Sequence, residues 1–202
     1  MRILNMYCGI GGNRKNWGNS HEITAVEYKE DIANIYQDFF PEDKMVLGDA
    51  HQYLLDHYKE FDFIWSSPPC PSHSRLRKSL SMASGAKAIY PDMKLYEEIL
   101  FLQGYFDGKW VVENVNSWYE PLIKPKLIQR HYFWSNFEIP DKAFEKDGIR
   151  ITGGRHKPEW TQIKHLEERH DIKLPEGAKN KRLLLRNCVN PKVGEHILDQ
   201  LT

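Results

Sequence analysis

Cys70 stands in Pro68-Pro69-Cys70-Pro71, directly after the apolar run Phe61-Asp62-Phe63-Ile64-Trp65 and two serines. Alternating aromatic and β-branched residues predict a buried strand. The prolines fix φ and end the hydrogen-bond ladder, so the thiol is held on a stiff turn at the strand's carboxyl end. Open α/β sheets bind ligands at such ends, which makes Cys70 a candidate nucleophile; a small buried core residue is the alternative. A free thiol is only about 3% ionised at pH 7, so a reactive Cys70 needs positive charge or a helix dipole nearby. Arg75, Arg77 and Lys78 are the candidates in sequence. Cys70 and His73 are spaced like metal ligands, but no four-ligand set emerges, and no metal is expected.

The elements that must position this thiol follow a regular alternation. Residues 2–7 predict a first strand, followed by Cys8-Gly9-Ile10-Gly11-Gly12 and an expected helix start. Residues 23–27 predict a second strand ending on Glu27, 31–39 a helix stopped by Pro41, and 45–49 a third strand ending on Asp49. A helical pattern over 53–58 leads into the Cys70 strand. Residues 71–92 read as a long polar loop, 95–106 as a helix, and 110–115 as a strand bearing Glu113 and Asn114. A βαβαβ order predicts a parallel, doubly wound Rossmann-like sheet. Its sites are those a nucleotide-like cofactor requires. Glycines allow close backbone approach, Glu27 lies about where an acid takes ribose hydroxyls, and Asp49 is placed to accept from an adenine amino group. The spacing is not the dinucleotide fingerprint, which disfavours NAD. Short segments broken by glycine and proline predict a separate small lobe over 138–186, leaving 1–137 and 187–202 as the main domain; 193–201 reads as a closing helix.

Six blocks in order then resemble the S-adenosylmethionine-dependent cytosine-5 methyltransferases. They are Tyr7-Cys8-Gly9-Ile10-Gly11-Gly12, the acids Glu27 and Asp49, Ser67-Pro68-Pro69-Cys70, Glu113-Asn114-Val115, Gln129-Arg130-His131-Tyr132, and Asn187-Cys188-Val189. The resemblance implies a DNA (cytosine-5) methyltransferase, compact and of viral or mobile-element type, with 138–186 as its target-recognition lobe. It implies that Cys70 adds to carbon 6 of cytosine, creating an enamine whose carbon 5 takes the methyl group before the proton and the thiol depart. Glu113 would hold the ring-nitrogen and amino edge, and Arg130 the carbonyl oxygen or adjacent phosphate. S-adenosylmethionine would lie against Tyr7, Gly9, Ile10, Gly11, Gly12, Glu27, Tyr28, Asp49, Ala50, Pro68, Asn187 and Val189. Duplex DNA, with its target cytosine flipped out at a cost of a few kcal/mol, would meet Ser72, Ser74, Arg75, Arg77, Asn114 and Arg155.

The pattern departs from the family in two places. The family shows two arginines with one residue between them where this chain has Ile128-Gln129-Arg130, and a glycine where Arg186 precedes Asn187. The motifs leave open RNA or a free nucleotide as acceptor, a substituted S-adenosylmethionine as donor, and a catalytically inactive nucleic-acid binder.

Composition sets the outer bounds. A chain of 202 residues with Lys+Arg 28 against Asp+Glu 28 and 41% hydrophobic residues is globular, with one main core. Residues 121–186 carry 15 Lys/Arg against 9 Asp/Glu, so phosphate contacts are expected there. Three separated cysteines argue for a reducing, cytoplasmic setting, of the host if the protein is viral. No signal peptide, membrane span or obligatory oligomer is expected.

Overall fold

The computed structural model describes residues 1–85, 87–145 and 159–201, with only the backbone of Arg77, Leu80 and Ser81. Its centre is a seven-stranded sheet of β1 (Arg2–Met6), β2 (Glu22–Glu27), β3 (Lys44–Leu47), β4 (Phe63–Ser66), β5 (Lys109–Val115), β6 (Lys126–Ile128) and β7 (His131–Ser135). The order is β3-β2-β1-β4-β5-β7-β6, with β7 antiparallel to both neighbours and the other pairs parallel. This is the mixed α/β, Rossmann-like sheet expected.

Parallel strands covered on both faces must be apolar throughout. Ile3, Leu4, Met6, Phe63, Ile64 and Trp65 are each 0% exposed. One face packs on α2 (Ala50–His57) and α4 (Lys94–Tyr105) through Leu54, Leu95, Ile99 and Leu102. The other packs on α7 (Pro191–Leu198) through Val193, Ile197 and Leu198, with Trp17 beside them. The remaining helices are α1 (Glu30–Phe39), α3 (Arg75–Ser84), α5 (Glu159–His170) and α6 (Lys181–Asn187).

Two sequence expectations are corrected. No helix follows the glycine turn: residues 7–21 run through turns and bends. Polar side chains fix this segment instead. Arg14 and Asp43, each 4% exposed in the side chain, form a two-pronged pair at 2.8 and 3.0 Å, and Arg14 also donates to the Gly18 carbonyl. Asn13 donates to Asn5 at 2.8 Å in the same buried layer. Helix α7 then packs beside this crossover, with Gly194 so close to the Asn13 backbone that a Cβ would collide with it. The second correction is that 71–92 is not wholly loop. Ser74 leads into α3, and Gly85, at φ +67°, sits at its C-terminal end in the left-handed conformation glycine tolerates.

The proposed lobe of 138–186 shares apolar contacts with the sheet domain. Leu166, Ile172, Leu174 and Leu185 form one cluster with Ile10 and Cys188, flanked by Ile32, Ile35 and Phe39 of α1. Among the described residues, no helix is long and apolar enough to cross a membrane, and no group of three or more metal-binding side chains converges.

Candidate active site

The parallel arrangement sets the carboxyl ends of β1, β2, β4 and β5 along one edge. Cys70 follows β4, and Glu113 lies within the neighbouring β5, paired in register with Phe133 of β7. The Cys70 carbonyl accepts from His73 N and Ser74 N at 3.0 and 3.1 Å, so the turn winds directly into α3. Behind it Asn114, 2% exposed, donates Nδ2 to the Pro68 carbonyl at 3.0 Å and clamps the cysteine loop to β5. The side chain expected to meet DNA is therefore turned inward.

Burial controls the electrostatics. Desolvation, then the Glu113 charge, push the Cys70 thiol up to about 11, against the opposing pull of Arg130 and Arg186. Burial likewise raises Glu113 to about 7, although the Ser67 hydroxyl and Arg130 favour its ionised form. Burial thus favours the protonated form of Glu113 well above the usual carboxylate range. His131 Nε2 lies 3.7 Å from Glu113 Oε1, and burial lowers His131 to about 3, so this imidazole is neutral.

The cations differ from those anticipated. Arg75 donates Nε to the Ser117 carbonyl at 2.7 Å, and Lys78 lies 3.7 Å above the Trp118 ring. The charges acting on Cys70 are Arg130 and Arg186, from the β6–β7 turn and the end of α6. Gln129, at φ +55°, lets that turn close in two residues, and Arg130 Nη2 donates to the Arg186 carbonyl at 3.1 Å. The Ser72 hydroxyl accepts from Asp92 N at 2.9 Å, its carbonyl from Trp118 Nε1 at 3.0 Å, and Ser74 precedes the first turn of α3. His73, 1% exposed, meets the Tyr119 hydroxyl at 2.6 Å. The segment 70–78 is therefore stitched to 117–119. The Arg77 side chain and Arg155 lie outside the described residues.

The glycine turn adjoins this site. Tyr7 and Gly9, at φ +53° and +54°, turn the chain sharply off β1, and nothing lies within 4 Å of a Cβ built on Gly9. Gly11, at φ +79°, meets the rings of Tyr36 and Phe40, while Gly12 abuts Val189 and Cys188. Side chains are excluded at 11 and 12 by protein, and at 9 by backbone conformation alone. Ile10 is buried among the α5–α6 residues. Glu27 accepts from the main-chain N–H groups of Gly9, Tyr28 and Lys29 at 3.0–3.2 Å, and Tyr28 is 77% exposed. Asp49 caps α2 through His51 N at 2.9 Å, with Ala50 buried behind it. Asn187 ends α6, and Val189 belongs to the α7 core.

Sequence reading missed Glu98. Fully buried, it accepts from Tyr7 Oη at 2.6 Å and Ser66 Oγ at 2.5 Å, with His51 Nδ1 at 3.0 Å. A carboxylate so surrounded ties β1, β4 and α2 together under the turn. Its signal was present: Leu95, Glu98, Ile99 and Leu102 share one helical stripe, in which Glu98 is the charged exception. Arg186 stood out in sequence only as the residue before Asn187 that departs from the family pattern, with nothing to link it to Cys70.

Comparisons with known proteins bear on this arrangement. A family profile described as C-5 cytosine-specific DNA methylase matches residues 1–116, the stretch holding the glycine turn, Cys70 and Glu113. No curated protein sequence matches. Among solved structures, the chain is similar to Spodoptera frugiperda DNMT2 at 26% identity, covering 57% of this chain and 35% of that one, with a TM-score of 0.42. It is similar also to a hypothetical protein of Thermus thermophilus, at 15% identity over 66% of this chain and 73% of that one, TM-score 0.45. The Entamoeba histolytica methyltransferase EhMeth follows at 16% identity over 57% and 38%, TM-score 0.38. The chain thus covers about a third of the length of DNMT2.

Proposed function

Because the chain belongs to the C-5 cytosine-specific DNA methylase family, we propose that it methylates carbon 5 of cytosine in DNA, with Cys70 as nucleophile and S-adenosylmethionine as donor. The observation that carries the reading is the placement of Cys70, on the turn after β4, beside the buried Glu113 of the adjacent β5, close enough for the Glu113 charge to act on the thiol.

The residues fit the donor. Gly9 leaves open space beyond β1, and two acidic side chains stand at the end of β2 and just past β3. Gly9, Glu27, Tyr28, Asp49 and Pro68 would hold it, whereas Ile10, Gly11, Gly12, Ala50 and Val189, expected to touch it, are packed against protein and would only support the turn. When bound, the sulfonium supplies an electrophilic methyl group. The protein's own work is to make carbon 5 nucleophilic. The Cys70 thiol gives its proton to water and its sulfur bonds to carbon 6 as protonated Glu113 donates a hydrogen bond to ring nitrogen 3; carbon 5 then takes the methyl group, and loss of the carbon-5 proton to water expels the thiolate. A protonated carboxyl is suited to that donation, and its pKa near 7 supports the role. The thiol's elevated pKa makes added positive charge valuable, which gives Arg130 and Arg186 an electrostatic role.

The test is nucleoside mass spectrometry of unmodified duplex DNA incubated with the protein and S-adenosylmethionine, beside Cys70→Ser. Conversion of deoxycytidine to 5-methyldeoxycytidine, absent in the variant, is expected. No modified deoxycytidine would overturn the DNA assignment, and the same assay on RNA and free nucleotides would identify another acceptor.

A further inference from the structure

Tyr7 is a bulky residue in the left-handed conformation, at φ +53°, a backbone state that side chains rarely adopt and that persists only where other contacts hold it. One such contact is made by its own hydroxyl, which donates to Glu98 Oε1 at 2.6 Å. The same turn carries Gly9, on whose open side nothing lies within 4 Å. The other partners of Glu98 come from two further segments assigned to the cofactor. His51 Nδ1 lies 3.0 Å from the same oxygen, in the first turn of α2, where His51 N donates to the Asp49 carboxylate at 2.9 Å. Ser66 Oγ, at the end of β4 and two positions before Pro68, donates to Oε2 at 2.5 Å. Glu97 reaches the other ring nitrogen of His51 at 3.8 Å, and Lys94, one turn before Glu98, stands 4.0 Å from Asp49. Helix α4 thus grips the turn after β1, the start of α2 and the end of β4 with one fully buried carboxylate.

Burying a carboxylate is costly unless its oxygens are well satisfied. Packing alone calls only for an apolar side chain, as Leu95, Ile99 and Leu102 on the same stripe show. What the carboxylate adds is order, because three donors aimed at two oxygens fix their segments relative to one another. Resting on the cytosine-methylation reading for its donor, we propose that Glu98 is a positioning residue for S-adenosylmethionine. Through Tyr7 it holds the strained turn, and through His51 the Asp49 end of α2, in the binding shape before the cofactor arrives. A site ordered in advance binds more tightly, since apparent affinity falls with the fraction of molecules in the competent shape.

The test measures S-adenosylmethionine affinity by titration calorimetry, and steady-state methylation of duplex DNA, at a temperature where each variant is folded by circular dichroism. Tyr7→Phe keeps the ring and removes the hydroxyl. It is expected to weaken cofactor affinity and raise the KM for S-adenosylmethionine about tenfold, with kcat and the KM for DNA changed less than about twofold. Glu98→Leu should weaken affinity at least as much. Ile99→Val loosens the same helix without touching the carboxylate, so it should lower Tm and leave affinity unchanged. Unchanged affinity in Tyr7→Phe overturns the proposal, and so does an equal loss in Ile99→Val, which marks the effect as general loosening. Should Glu98→Leu not fold, Tyr7→Phe and Ile99→Val carry the test by themselves. The calorimetry needs no acceptor, so the two readings fail separately. A wild type that binds S-adenosylmethionine no better than Tyr7→Phe refutes the positioning role alone, whereas one that binds none refutes the cofactor reading with it.

Discussion

At the scale of single residues, burial is the dominant force on the candidate chemistry, and it acts on both partners. With Cys70 pushed up to about 11, alkylation of the unliganded protein by iodoacetamide should be slow at pH 7.5 and accelerate steadily toward pH 11, as followed by peptide mass spectrometry. Cys8 and Cys188 are buried and also raised, so Cys70 should account for the early labelling. Glu113 gives a second expectation, whose sign is opposite to that of a salt-bridged acid. Its folded pKa is raised from 4.5 to about 7, so the folded state binds the proton more tightly, and stability falls as pH rises between those values. At pH 7 the penalty is about 3 kcal/mol. Glu113→Gln should therefore raise Tm at pH 8, raise it less at pH 5, and abolish methyl transfer. A Tm gain that does not grow with pH would refute the assignment of Glu113 as a strained acid. The local chemistry of Cys70 and Glu113 was legible because each sits in a distinctive short motif at a strand end. Their charge environment was not, because Arg130 and Arg186 are 56 positions apart and meet only through α6 docking on the hairpin turn.

Among elements, the sheet was legible wherever hydrophobic runs were bounded by glycine, proline or a terminal acid, as in the strands ending near Glu27 and Cys70. The missing helix after Gly12 was not, because the determinants of 7–21 are the long-range pair Arg14–Asp43 and the packing of α7, neither visible in local pattern. Helix α3 escaped notice because residues 75–84 carry little apolar periodicity and are held by contacts to 117–119 instead. Two glycines separate these causes experimentally. Gly194→Ala, far from Cys70 in sequence, should push on the Asn13 backbone and lower both Tm and S-adenosylmethionine affinity, measured by calorimetry. Gly104→Ala, near the end of α4 with nothing within 4 Å, should be neutral or raise stability by up to about 1 kcal/mol. Glu98→Ala leaves Tyr7, Ser66 and His51 without their acceptor and should cost roughly 3–5 kcal/mol in urea unfolding.

Over the whole molecule, acid should loosen the junction between α5 and the hairpin. His170 is buried and His131 half-buried, and desolvation lowers them to about 4 and about 3. Below about pH 6.5 the unfolded chain takes protons that these folded imidazoles refuse, so stability falls by about 1.4 kcal/mol per pH unit for each. Glu113 works in the opposite sense between 4.5 and about 7 and offsets one of the two, so from these three groups the net slope steepens below pH 4.5. His170→Leu should flatten the fall in Tm between pH 6 and 4.5, and an unchanged pH profile would refute the role of that buried imidazole. The placement of α7 has one more consequence, for biogenesis. The pocket lined by Ile3, Ile23, Trp17 and Phe63 is filled by Val193 and Ile197, residues the ribosome makes about 190 positions after the first strand. The glycine turn therefore cannot acquire its final shape before α7 has been made. The nascent strands must wait with an apolar face uncovered until the last helix emerges, and that interval is when the chain is most exposed to aggregation and most dependent on chaperones.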